Sequence, residues 1–259
     1  MAPPITTIIN YCSNDYRFIQ RCIENVRAFS SKILVPVGDH FLDGRPENLD
    51  LLRHTAAESP DAQLLTYQWK PGHPARYWHN AARAIGISQA RTDWVLLLDA
   101  DEIVDTSRFA AWLEHTDLRG HAGAVFACYW YFRDAYYRAT AIEHCGLLAR
   151  REKLSHELIF SNRERWEYPR HHACKVNVHG SDGTPMLHHF SWVRSKAEMA
   201  RKVRSWGHRG DRAWGDLIEE EFSRPFNGRD FVHGYRYETV DDRFGLAIEV
   251  ADPIHLRRA

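Results

Sequence analysis

Five apolar residues, Trp94–Leu98, run into Asp99-Ala100-Asp101-Glu102, and that junction constrains the fold more than any other feature of the chain. A short continuous apolar run suits a strand buried on both faces. Three carboxylates in four positions repel one another unless a cation or several backbone N–H donors neutralise them. The segment therefore predicts a central strand whose carboxyl end opens onto a site. What precedes it alternates in the same sense. Strands are expected at Ile5–Tyr11, Ile33–Val37 and Gln63–Trp69, with helices at Asp15–Phe29, Pro46–Ser59 and Arg76–Gln89. Such alternation predicts an α/β fold with a mostly parallel sheet, whose ligands bind beyond the strands' carboxyl ends.

Beyond Glu102 the reading continues with a helix over 107–114, an aromatic strand at Ala124–Phe132 and a short strand at Gly146–Arg150. An irregular, His-rich stretch follows from His171 to His189. A helix over 196–208 opens with Ser195-Lys196-Ala197-Glu198, a capping-box pattern. Repeats, low-complexity tracts and linkers are absent from the sequence, so all 259 residues read as a single domain. Residues 1–105 form one half, 106–212 a second, and 213–259 a C-terminal extension.

Lys plus Arg equal Asp plus Glu at 34 each, which disfavours nucleic acid as a main partner. The balance is uneven along the chain, at −3 over residues 1–130 and +3 over 131–259. The N-terminus lacks a basic, then apolar, leader pattern. No run approaches the roughly 20 apolar residues of a membrane span. Five scattered cysteines without a CxxC pair suit reduced thiols, so the expected location is cytoplasmic. Sixteen histidines and 32 aromatic residues supply material for a polar site and for stacking on sugars or bases.

An Asp-x-Asp turn can offer two hard oxygens, from Asp99 and Asp101, to Mn²⁺ or Mg²⁺, which keeps substrate phosphates in its shell. The stretch 194–212 carries seven basic residues against Glu198 and Asp211, so Lys202 or a neighbouring arginine is a candidate for the other side of a diphosphate. Five histidines over 171–189, with Cys174, raise a structural zinc site as a rival, but their spacing fits no finger or ribbon pattern.

The segment Trp94–Glu102 resembles the strand and DxD motif of GT-A-fold glycosyltransferases, and residues 76–91 resemble the helix that precedes it in family 2-like members. That helix departs from the A-R-N-x-G-I pattern, reading Trp78-His79-Asn80-Ala81-Ala82-Arg83-Ala84-Ile85-Gly86-Ile87. A later block, Leu187-His188-His189-Phe190-Ser191-Trp192 with Lys202, Ser205, Trp206 and His208, is similar to the bisecting N-acetylglucosaminyltransferase-like family. Together the resemblances cover roughly residues 5–210.

They imply a single-domain GT-A fold, Rossmann-like, with a mostly parallel mixed sheet between helices. They also imply a metal-dependent transferase taking a sugar from a UDP or GDP donor to a glycan or other hydroxyl. Asp101 corresponds to the main metal ligand, with Asp99 contacting ribose or metal-bound water and a downstream histidine completing the shell. Alternation in an extended segment puts His189 on a face with Leu187 and Ser191, and His188 on a mostly apolar one, so His189 is the expected ligand. Asn10, Tyr11, Asn14 and Asp39, after the first two strands, together with Lys202 and His208, are candidate donor contacts. If the reaction inverts, a base is required; the candidates are Glu157, Glu164, Glu167 and Asp182, with Glu167 preferred because Trp166 and Tyr168 flank it. A nucleotidyltransferase and a non-catalytic carbohydrate-binding module are the alternatives.

Overall fold

Trp94–Asp99 lies inside a ten-stranded mixed sheet, and every residue from Trp94 to Leu98 is at most 3% exposed. The structure, a computed structural model, describes residues 2–161, 164–206 and 208–248, so positions 249–259 of the C-terminal extension lie outside the described residues. The chain runs β1 (Ile5–Asn10), α1 (Tyr16–Val26), β2 (Ser30–Gly38), α2 (Leu49–Glu58), β3 (Ala62–Tyr67), α3 (Ala75–Gln89) and β4 (Trp94–Asp99). It continues through β5 (Glu102–Val104), α4 (Thr106–His115), β6 (Gly123–Phe132), β7 (Asp134–Arg150), α5 (His156–Phe160) and α6 (Glu164–His171). The last elements are β8 (Cys174–Val178), β9 (Leu187–Trp192), α7 (Lys196–Ser205), α8 (Trp214–Phe222) and β10 (Tyr237–Thr239).

The sheet order is β3-β2-β1-β4-β7-β6-β9-β5, with β8 beside β6 and β10 beside β7. The pairings among β1 to β4 are parallel, as strand-helix alternation requires. From β4 outward the sheet turns mixed: β4–β7, β6–β7 and β5–β9 are antiparallel, whereas β6–β9 is parallel. This is the α/β architecture expected from the strand-helix order, in the GT-A-like form that the resemblance implies.

Helices cover both faces. Ile5, Ile9 and Leu96 pack with Phe18 and Ile23 of α1 and Phe109 of α4; Ile8, Val95 and Leu97 pack with Ile87 of α3 and Leu158 of α5. A third apolar cluster joins Trp130 and Trp192 to Met199 and Val203 of α7, Trp214 and Ile218 of α8, and Val232. α3 sits close on β1 because Gly86 has no side chain: a Cβ there would run into Ile8 Cγ2 and lie 3.1 Å from Pro36 Cγ. None of the helices among the described residues is long and apolar enough to cross a membrane.

The structure corrects the second half of the reading. The strand expected at Gly146–Arg150 is the end of the 17-residue β7, whose earlier part is polar on one face and shows no apolar run. The His-rich stretch contains β8 and the first half of β9, and α8 precedes the aromatic tail. α7 ends at Ser205 rather than 208, because Trp206 is extended.

Candidate functional site

A cleft of about 590 Å³ opens where the carboxyl ends of β1, β2 and β4 meet β6, β7, β9 and α7. The acidic turn forms its floor and is built by short hydrogen bonds. The Ala100 N–H donates to Asn10 O at 3.0 Å, the Phe190 N–H to Asp101 O at 2.8 Å, and the Asp99 N–H to Glu102 Oε2 at 2.9 Å. β5 then pairs with β9, Glu102 opposite His189, so residues nearly ninety positions apart share one corner.

Two clusters of charge result. In the first, Arg83 of α3 and Arg165 of α6 hold Asp99, Glu102 and Glu164. Arg83 bonds Asp99 Oδ1 at 2.9 Å and pairs with Glu164; Arg165 reaches Glu102 at 2.5 and 2.9 Å and Asp99 Oδ2 at 3.4 Å. Burial alone would push the Asp99 carboxyl up, but Arg83 and Arg165 outweigh it and hold that group well below the usual range. Glu102 is wholly buried, and desolvation raises it despite Arg165. In the second cluster, Asp101, 4% exposed, faces Lys202 Nζ at 3.2 Å, Arg194 Nη2 at 3.5 Å and His189 Nε2 at 3.4 Å. Against burial, those cations keep Asp101 ionised. Asp101 and the Cys128 thiol in turn overcome desolvation of His189 and raise it to about 10.

Asp101 and His189 thus come together, and Asp99 does not join them. It is clasped by two arginines, and among the described residues no group of three or more His, Cys, Asp or Glu is arranged to hold a metal ion. The expected ligand set Asp99–Asp101–His189 reduces to the last two. One carboxylate and one imidazole still suit Mn²⁺ or Mg²⁺, provided the ion displaces the proton that Asp101 favours on His189; phosphates and water would supply the remaining ligands. His188 takes a different environment: its Nδ1 lies 2.8 Å from the Tyr131 hydroxyl, and burial lowers it to about 3.

Asn10, Tyr11 and Asn14 line the cleft at the ends of β1 and α1. Asn10 Nδ2 bonds Asp99 and His79, the Tyr11 hydroxyl meets Thr55 Oγ1 at 3.1 Å, and Asn14 Nδ2 donates to Ser205 Oγ at 2.8 Å. Lys202 and His208 line the opposite side, His208 paired with Asp211. Asp39 does not line the cleft itself: its Oδ1 accepts the Trp69 N–H and meets His40 Nδ1, both at 2.8 Å.

The base candidates fare worse. Glu167 pairs with Arg170 and His171 outside the cleft, Glu157 is exposed in the first turn of α5, and Asp182 is tied to Arg108 and Thr184. Glu164 lines the cleft but is 3% exposed and locked to Arg83. Trp166 does face the cleft, 59% exposed, whereas Tyr168 is buried with its hydroxyl on Ala122 O. Arg165, which clasps the acidic turn, and Glu143, which lines the cleft from β7, carry no mark in the sequence, because charged residues lie mostly at the surface and neither sits in an apolar period. Glu47, 5% exposed at the end of the loop after β2, was also unmarked.

Residues 72–194 match the family model described as Glycosyl transferase family 2, a stretch that runs from just before α3 to just after β9 and holds the acidic turn and His189. The class that the fold defines is a GT-A-like α/β domain, and the stretch similar to the family model covers a little under half of it. No curated protein sequence matches the chain. Among solved structures it is similar to a 4-diphosphocytidyl-2C-methyl-D-erythritol synthase (10% identity, 78% of this chain and 98% of that one, TM-score 0.47). It is also similar to a glycosyltransferase from Streptococcus pneumoniae (13% identity, 85% and 64%, TM-score 0.44). A mannosyltransferase from Pyrobaculum calidifontis, solved with GDP-Man and Mn²⁺, is similar over a smaller share (16% identity, 48% and 35%, TM-score 0.35).

Proposed function

We propose that this chain is a cytoplasmic glycosyltransferase that moves a sugar from a nucleoside-diphosphate donor, UDP or GDP, to a hydroxyl of a glycan or other acceptor. The observation that carries the reading is the Asp101–His189 pair facing Lys202 and Arg194 across one cleft at the strands' carboxyl ends. On this reading the nucleoside lies along Asn10, Tyr11 and Asn14, and the diphosphate meets Lys202. Asp101 and His189 would hold Mn²⁺ or Mg²⁺, which when bound offsets the charge of the diphosphate leaving group. Lys202, at 2.8 Å from Ser191 Oγ, is held so that its ammonium faces that charge. Arg83 and Arg165 offset most of the charge of Asp99, Glu102 and Glu164, so that the floor of the site repels phosphate less.

Thermal unfolding with UDP and GDP, with and without Mn²⁺ or Mg²⁺, tests the reading. Either nucleotide should raise Tm only with the metal present, because a ligand that binds the folded state alone stabilises it by mass action. Equal shifts in excess chelator would remove the metal from the proposal. His189→Ala should diminish the metal-dependent shift more than His188→Ala; the reverse order would put the ligand on the other face of β9. Pyrophosphate release from a nucleoside triphosphate would instead identify nucleotidyl transfer, and sugar binding indifferent to Asp101→Asn a non-catalytic module.

A further inference from the structure

One wall of the cleft has no role in glycosyl transfer as described so far: that built by β6, β7 and the segment after α8, the last lying beyond the stretch that matches the family model. In the sheet, β7 and β6 stand on the opposite side of β4 from β1, β2 and β3, away from the nucleoside contacts. β7 places Glu143 opposite Cys128 of β6. Two residues along β6, and so on the same face, Trp130 stands opposite His189 of β9. The Trp130 ring meets His189 and His233 edge-on, with centroids 4.7 and 4.9 Å apart.

A group that takes a proton from a hydroxyl must face the cleft and be able to accept. Most acids that line the cleft are already engaged. Asp15 pairs with Arg194, Asp99 and Glu164 with Arg83, Asp101 with Lys202, and Asp211 with His208. Glu47 is buried against the Ser13 N–H. Among the described residues Glu143 has no ion-pair partner, and its one hydrogen bond comes from the Tyr235 hydroxyl, which donates to Oε1. Tyr235 is itself held firmly. Asp230, 4% exposed, accepts the backbone N–H groups of Val232, His233, Gly234 and Tyr235 and the Tyr237 hydroxyl, which fixes the turn that carries it.

We propose, on the glycosyl-transfer reading above, that Glu143 is the catalytic base for a sugar acceptor and that Tyr235 is its positioning residue. Trp130, His233 and the exposed Trp166 provide ring faces and edges for the acceptor. As the acceptor oxygen bonds to the anomeric carbon, its proton passes to Glu143 Oε2. The bond from that carbon to the β-phosphate oxygen breaks, its electron pair leaving with the nucleoside diphosphate, and Glu143 later returns the proton to solvent.

The test uses the full chain with a panel of UDP- and GDP-sugars, p-nitrophenyl glycosides or water as acceptor, and release of nucleoside diphosphate as the readout. Glu143→Gln should lower kcat by about 100- to 10,000-fold while the donor KM and the nucleotide-induced Tm shift stay near wild type. Tyr235→Phe should lower kcat by about tenfold at unchanged donor KM, the size of one hydrogen bond. Glu143→Asp should restore part of the loss. Wild-type turnover that Glu143→Gln retains within about threefold overturns this inference and leaves glycosyl transfer standing. No turnover by the wild-type protein with any donor overturns both. Should Glu143→Gln fail to fold, Tyr235→Phe decides alone: unchanged kcat overturns the assignment.

Discussion

Glu47 shows how one side chain records its burial. Oε1 accepts the Ser13 N–H, Oε2 is buried with no partner among the described residues, and desolvation pushes the carboxyl up to about 7. In the unfolded chain a glutamate titrates near ~4.3. Between those values the unfolded state releases a proton that the folded state keeps, so this group's contribution to stability falls as pH rises through the window. Glu47→Gln never ionises and escapes the loss. Urea denaturation should show its advantage over wild type growing by about 1–3 kcal/mol from about pH 4 to about pH 8; a pH-independent difference would contradict this. Nothing local marks Glu47 as buried. Asp39, by contrast, carries local signs of a donor contact, and the structure adds that its Oδ1 meets Trp69 and His40. The chain's periodicity tells which way a residue points along a strand, as with His188 and His189, but not which distant group it meets.

At the scale of elements, local pattern was most informative where helices are amphipathic and strands wholly buried. β1, α1, α3 and β4 lie within a residue or three of the bounds their apolar spacing suggests, and α7 begins with both halves of the capping box in place. β7 and α8 escaped because partners, rather than composition, stabilise them: β7 is held between β6 and β4, and α8 lies on the third apolar cluster. Contact between elements is equally strict. Ala is intrinsically favoured over Gly in a helix by ~1 kcal/mol, yet Gly86→Ala should destabilise the chain by about 1–3 kcal/mol, because its methyl meets Ile8 and Pro36. A lowered midpoint in urea at unchanged slope would be the expected outcome; a raised midpoint would mean that α3 moves off β1 freely.

Over the whole molecule, α8 and Val232 join the third apolar cluster with Trp130 and Trp192. Trp214 packs with Trp192, Trp206 and Phe231, and its Nε1–H donates to His208 O at 2.9 Å, which joins α8 to the end of the cleft. Trp214→Ala should cost about 3–5 kcal/mol, measured by denaturant unfolding, and should weaken nucleotide binding through Lys202 and His208; a loss under about 1 kcal/mol would show that the cluster collapses around the gap. The sequence by itself determined the strand-helix alternation, the apolar strand with its acidic end and the basic stretch near 200, since each is written in neighbouring residues. Only the tertiary structure decided which cation answers which carboxylate. Asp99 goes to Arg83 and Arg165, and Asp101 to His189, Arg194 and Lys202, while most of the other basic residues between 194 and 212 face elsewhere. The reason is physical: a buried charge is stable only beside an opposite one, and the chain brings such pairs together from as much as 179 residues apart through sheet order and helix packing, which no local period encodes.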